Sequence, residues 1–426
     1  MEFSILDSYL ISLKLLASFW WTWLPVVLVL GTRLAYGTYL KEKYEAALEW
    51  VTLEIRIPPE IRKSPKASEQ MFSGFHGLWL PEAWKDKWVR GKFHQDYLAL
   101  ETVAKGGGIN FYIRTPSRYR NIVESHVYAQ YSDAEISEVT DFINDLPKDL
   151  PNEEYDLWGG ELVLTKEDAY PIRTHPEFEE SGGIGEEKRI DPLAALAEAL
   201  GSLKPGENVW LQYLIRPTTD DKWIKEGKTI VDKIMGRTKP LERDAFGKTV
   251  DFIDSLIPGN MVDAPKEKAE LKSMLHLSHG EQEIIKAIDR NTAKIGFDSG
   301  IRLVYIARRD VFNLGFLGAL IGAFKQFASS NLNGFRLNPK AFTSDKGFFA
   351  KVPFTGKGLF SQSLFYKRKV NLFNKFIKRQ WVKKAFVFNT EELATIYHLP
   401  TISVRAPSVP RIEAKKGMPP ITLPTE

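Results

Sequence analysis

The chain has 426 residues, no cysteine and a formal net charge of +4; disulfides and thiolate metal sites are excluded, and the bulk charge is too small to argue for nucleic acid. With 43% apolar residues it is long enough for two or three domains with proper cores, which excludes a mostly disordered chain. Its 11 tryptophans and 26 phenylalanines add interfaces or lipid to the expected contacts.

After a short N-terminal segment, 1–14, the run Leu15 to Gly31 (LLASFWWTWLPVVLVLG) carries no charge. With Thr32 it approaches the roughly 20 residues a membrane-spanning helix needs, so one transmembrane helix is expected over 15–32. A cleavable signal peptide is the rival. Glu2 and Asp7 precede the run and no small-x-small site follows it, which favours an uncleaved anchor. Arg33, Lys41 and Lys43 follow the span whereas the N-terminal side is nearly neutral. The positive-inside rule therefore predicts a single-pass protein of the cytoplasmic membrane with the bulk of the chain in the cytoplasm.

Val51, Leu53, Ile55 and Ile57 alternate with Thr52, Glu54 and Arg56, the period of a strand, and Pro58-Pro59 stops it. A helix over Ala67 to Gly77 and a long strand over Lys92 to Val103 come next. Gly106-Gly107-Gly108 joins two strands instead of opening a helix, so it reads as a hairpin turn and not a phosphate loop. Ile109, Phe111 and Ile113 mark another strand, ended by Thr115-Pro116-Ser117. Ile122, Val123, Val127 and Gln130 then fall at helical spacing, and Asp133 to Ile136 opens a further strand. Strand, helix, strand, strand, helix, strand over 48–143 is the order of a ferredoxin-like α/β sandwich.

Residues 144–185, rich in Pro, Glu and Gly, are expected as a linker with one strand, Glu161 to Thr165. A second ferredoxin-like module is expected over 186–338, with Ala169 to Arg173 serving it as an edge strand. Its helix runs from Asp191 to Leu203, with Asp191 as cap and Pro192 in first position. Val209 to Arg216, apolar on both faces, suits a central strand. A helical insertion over 218–294 holds an amphipathic helix, Trp223 to Met235, and a charged hairpin, Lys266 to Lys294. The strand Gly300 to Arg308 and the apolar helix Val311 to Ala328, with Asp310 as N-cap, complete the module. The uninterrupted apolar part of that helix, Leu314 to Phe324, is too short to span a bilayer and reads as core, with Gly315, Gly318 and Gly322 permitting close approach. The fold class expected is α+β.

In the segment 339–387 the charge balance shifts: Lys340 to Lys384 contains only Asp345 as an acid. Lys367, Arg368, Lys369, Lys375, Lys378, Arg379, Lys383 and Lys384 are threaded with Phe365, Tyr366, Phe373, Phe376 and Trp381. That mixture fits lipid headgroups, an acidic partner or single-stranded nucleic acid. A solvated loop is the bland alternative, and the anchor favours lipid over nucleic acid. In 388–426 a helix from Glu391 to His398, capped by Asn389 or Thr390, is expected to dock on a partner through Leu393, Ile396 and Tyr397. Beyond Pro400, prolines 407, 410, 419, 420 and 424 favour an extended strap.

No catalytic, cofactor or metal set emerges. Gly247-Lys248-Thr249 has Glu242 where the first glycine of GxxxxGK(S/T) belongs, and Gly356-Lys357-Gly358 does not complete that motif either. His276 and His279 lack a third ligand at a recognisable spacing, His126 sits on an apolar helix face, and no GxSxG elbow is present. The acidic pairs Glu153-Glu154 and Glu179-Glu180 read as solvated charge.

The run FNTEELATIYHLP, Phe388 to Pro400, with Pro419-Pro420 and Leu423-Pro424 beyond it, resembles the segment leading into the motor domain of membrane-anchored conjugative coupling-type ATPases of the HerA/FtsK kind. ESHVYAQYSDAEI, Glu124 to Ile136, is similar to the non-motor region upstream in the same proteins. This sequence ends at Glu426, where those proteins continue into a nucleotide-binding fold. The resemblance implies a non-catalytic, membrane-anchored scaffold of a type IV secretion or conjugation-like system, partnering a separate HerA-like P-loop ATPase. The rivals are a membrane-surface enzyme holding a small anionic substrate with Arg114, Arg216 and Arg308, and a membrane-anchored nucleic-acid-binding protein.

Overall fold

The computed structural model describes residues 18–58, 63–81, 83–181, 191–237, 277–343 and 359–400. Two compact units emerge, one built from the chain up to Trp50 with Trp79–Asp96, the other from Val51–Leu78 and the chain from Tyr97 on.

In the first unit, α1 (Trp20–Ala47) is a helix of 28 residues. Trp20, Trp21, the apolar side chains of 26–30 and Leu34 are exposed. Among the described residues it is the one helix long and apolar enough to cross a membrane, and a signal sequence passes the same test.

The second unit contains the sheet. Its strands are β1 (Trp50–Arg56), β2 (Leu98–Lys105), β3 (Gly108–Pro116), β4 (Glu135–Val139), β5 (Tyr155–Leu164), β6 (Glu207–Pro217), β7 (Gly296–Arg308), β8 (Phe335–Leu337) and β9 (Phe386–Asn389). The first eight lie side by side in the order β4-β1-β3-β2-β6-β7-β5-β8, and β9 adds to β7. Read from either edge inward, fourth-first-third-second appears twice. The halves meet at β2 and β6, which pair antiparallel over the whole of β2, Leu98 opposite Ile215 through Lys105 opposite Asn208.

Helices α2 (Lys66–Phe75), α4 (Arg120–Gln130), α6 (Ala194–Gly201), α9 (Leu314–Lys325) and α11 (Thr390–Ile396) contribute buried side chains to the core that also takes the inward residues of the strands, such as Leu100, Leu211 and Leu303. The short α3 (Trp84–Trp88) belongs to the first unit; α5 (His175–Ser181) adds Phe178 to the core, and α7 (Lys222–Ile234) and α8 (His279–Thr292) complete the helices. The opposite face packs under α10 (Leu359–Ile377) through Leu372, Phe373 and Phe376, with Trp210 stacked on Phe376 at 5.0 Å.

The α+β class and most elements agree with the sequence, but several expectations are corrected. The helix expected from Asp191 starts at Ala194, with Leu193 and not Asp191 at its N-cap position, and the strand expected from Gly300 starts at Gly296. Ala169 to Arg173 is not a strand; β5, within the segment read as a linker, takes that place between β7 and β8. The backbone NH of Ile172 is instead bonded to Glu392 Oε1 at 3.0 Å. The strand expected from Lys92 starts only at Leu98. The apolar helix starts at Leu314, not Val311, because Asn313 and not Asp310 caps it, accepting from the Gly315 NH. The strap beyond Pro400, residues 238–276 of the insertion, 344–358 of the basic segment and 1–17, with the start of the expected span, lie outside the described residues.

Candidate functional site

The face beneath α10 carries a row of polar side chains crossing five strands. Tyr112 (β3) stands opposite Glu101 (β2), Glu101 opposite Gln212 (β6), Gln212 opposite Arg302 (β7), and Arg302 opposite Glu161 (β5). Successive strand residues alternate faces, so one polar residue in the middle of each apolar strand aligns with its neighbours once the registers are set. Glu101, Gln212 and Arg302 are fully buried and Glu161 nearly so.

These side chains hold the C-terminal end of α10. Gln212 Nε2 donates to Glu101 Oε1 (2.8 Å) and to the Phe376 carbonyl (3.1 Å). Arg302 donates to Gln212 Oε1 (3.1 Å), Glu161 Oε1 (3.2 Å) and the carbonyls of Lys375 (3.0 Å) and Gln380 (2.8 Å). A guanidinium at the carbonyl end of a helix also matches the sign of the helix dipole. The Arg302 Nε has no partner among the described atoms.

Arg379 closes the arrangement. It lies just past α10 at φ +46°, the left-handed region that glycine usually fills at this point of a helix terminus. Its NH bonds to the Phe376 carbonyl and the Gln380 NH to that of Lys375, both at 2.9 Å. An arginine in that conformation costs about 1 kcal/mol relative to glycine, so the side chain must return more. It does so as a bidentate clamp on Glu101 (2.9 and 2.9 Å) and a second pair of bonds to Asp141 (2.6 and 2.8 Å). Burial by itself would lower the Arg379 pKa; Glu101 first and Asp141 next outweigh it, and the guanidinium is held charged above its ordinary range. Burial raises Asp141, yet the bonds and charge of Arg379 bring its carboxyl below the usual value. For Arg302 burial prevails over Glu161 and lowers the pKa.

The candidate residues of the basic segment divide between two environments. Lys369 is buried and bonds Asp156 at 2.5 Å, Lys375 is half-buried at 3.7 Å from Glu161, and Arg379 is interior. Trp381 is half-buried against Tyr97, with the Arg216 guanidinium 4.4 Å from its ring centre. Lys367, Arg368, Lys378, Lys383 and Lys384 are exposed. Leu393, Ile396 and Tyr397 are almost fully buried within the chain's own core, so the surface they were expected to offer a partner is occupied internally. On α11, Asn389 and Glu392 form a capping box, and Glu391 bonds Thr174, Arg290 and Lys294. Burial pushes the Glu392 carboxyl up to about 8.

Arg114, Arg216 and Arg308 are not brought together. Arg216 pairs with Asp298 at 2.9 Å and Arg308 with Asp310 at 3.0 Å. Since Asp298 and Arg308 lie at opposite ends of β7, roughly 30 Å separates those two pairs. Arg114 sits 3.9 Å from Asp141, beside Arg379. A separate cleft is lined by Asp168, Asp220, Glu226, Asp298, Lys222 and Trp223. There burial first, then Glu226 and Asp298, push Asp168 up to about 6.

The sequence model described as "Domain of unknown function (DUF8128)" matches residues 36–411. The chain belongs to the DUF8128 family. No curated protein matches it. The DUF8128 match begins inside α1 and takes in both halves of the sheet, the clamp under α10 and the whole of α11.

Sequence reasoning missed Glu101, Gln212, Arg302, Glu161 and Asp141. A signal was present: LALETVAK, VWLQYLIR, GIRLVYI and GGELVL each carry a polar residue inside an apolar strand.

Proposed function

We propose that this DUF8128 chain is a membrane-anchored, non-catalytic scaffold of a type IV secretion or conjugation-like system, working beside a separate P-loop ATPase. In this reading each half of the sheet is a ferredoxin-like module, α1 is the anchor and the sheet-bearing unit is cytoplasmic. The twice-repeated strand order supports the modules. The observation that carries the scaffold reading is the charged row under α10: its carboxylates and guanidinia are roofed by a helix and bonded to one another, an arrangement that holds a shape. The carboxylate partners of Arg114, Arg216 and Arg308 argue against the anionic-substrate rival.

Affinity purification of the full chain from membranes tests the reading. Recovery of a P-loop ATPase is the expected result. Turnover of small anionic substrates by the purified chain without any partner would overturn it. Salt-sensitive nucleic-acid binding that vanishes when the exposed Lys378, Lys383 and Lys384 are neutralised would favour the nucleic-acid rival instead.

A further inference from the structure

We propose that Trp79–Asp96 is a second membrane contact, a foot that beds into the headgroup layer of an anionic bilayer beside α1. The proposal rests on α1 being the anchor and adds a lipid-binding surface to it.

Every contact involved lies within the first unit. From Trp20 to Thr32 the α1 sequence is uncharged; Arg33 is the first charge on the helix. Its guanidinium stacks on the Trp88 ring, 4.7 Å from the centroid. Trp88 meets Phe93 edge-on at 5.5 Å, and Phe93 lies against Gly37, one turn farther along α1. Gly91, at φ +78°, crosses so close to the Leu40 carbonyl that a Cβ there would collide with it. Tyr44 and Asp96 close the series with a 2.9 Å hydrogen bond. The segment thus follows the polar half of α1 from the level where its apolar run ends, over a rise of roughly 16 Å.

Trp88 marks that level, and the segment around it exposes what a water-facing loop does not need. Trp84 is 71% exposed, Val89 66% and Leu80 46%. Exposed Lys85 stands among them, as does Arg90, which also pairs with Asp86 at 2.9 Å, and Arg33 adds its charge from the helix. Indole rings at the boundary between an apolar span and its first basic residue are what the interface of a bilayer selects, and the basic side chains suit anionic headgroups. Trp84 and Val89 are left mostly uncovered, while Leu80 is held at the other end of the segment by Gln95.

The absence of native cysteine allows a direct test. Single-cysteine forms of the full chain, Trp84→Cys, Val89→Cys and Leu28→Cys on α1, are labelled with an environment-sensitive fluorophore and reconstituted into vesicles of phosphatidylglycerol and phosphatidylcholine. Labels at 84 and 89 are expected to shift to the blue and to be quenched best by nitroxides near the headgroup. The label at 28 should be quenched best by nitroxides deep in the acyl chains. In vesicles of phosphatidylcholine alone, quenching at 84 and 89 should fall; unchanged quenching would overturn the anionic preference. Aqueous spectra at 84 and 89 with a deep label at 28 would overturn the foot while leaving the anchor intact. Blue-shifted labels that no lipid nitroxide reaches would overturn it in favour of a protein covering. An aqueous label at 28 would remove the anchor and the foot together.

Discussion

At the scale of single residues, Arg379 concentrates the physics of the fold. Its backbone adopts a conformation better suited to glycine, while its side chain neutralises two carboxylates in the interior. Removing one partner of such a cluster strands a buried charge, so Arg379→Ala is expected to lose about 3–5 kcal/mol in urea unfolding. Arg379→Gly should lose almost as much, recovering only the backbone term of about 1 kcal/mol; a glycine variant as stable as the parent would show that the clamp contributes nothing. Two acids make the opposite contribution. Asp168 and Glu392 have folded pKa values of about 6 and about 8, above their unfolded values. The folded chain therefore holds protons that the unfolded chain has released, and stability falls as pH rises from about 4 through 8. Asp168→Asn should remove the part of that decline below pH 6 and Glu392→Gln the part reaching 8, each by about 1–3 kcal/mol in thermal or urea melts across pH. Asp141 and Glu391, whose carboxyls lie below the usual range, act the other way: their contribution is present above pH 4 and is lost on acidification below it.

At the scale of elements, β5 shows where the sequence could be read and where it could not. Strands whose sequence alternates apolar with polar residues, such as β1 and β3, announce themselves by that alternation, and helices α4 and α7 by spacing and polar flanks. β5 is buried on both faces and carries Gly159-Gly160, so it has no alternation and resembles a linker. Gly159 is there for α10: a Cβ would run into the Leu303 carbonyl and the Leu372 side chain. Gly159→Val should force α10 away from the sheet and show up as faster amide exchange in Leu372 to Ile377 before global unfolding; unchanged exchange would mean that the helix does not depend on that approach. The polar row was hidden for a related reason. Each member is a lone polar residue in its own strand, and only the registers, fixed by long-range pairing, bring the members into line. Charge alone does not show that the basic run divides into an inward clamp and an outward set of lysines. The α11 cap, by contrast, was legible in Asn389-Thr390-Glu391-Glu392, because capping is a local matter of side-chain reach.

At the scale of the whole molecule, the orientation proposed for the chain has a direct check. A phosphatase reporter, active only outside the cytoplasm, is expected to be silent when fused after Glu426, and a cytoplasm-active reporter at the same position should work. The reverse pattern would put the sheet-bearing unit on the other side of the membrane. The join between β2 and β6 sets a mechanical limit on whatever that unit does. Ladder pairing along the length of β2 makes the two half-sheets one plank, with no swivel between them, so prising them apart means tearing backbone bonds and not merely sliding two surfaces. A force that would part the two half-sheets is borne by that ladder of backbone bonds.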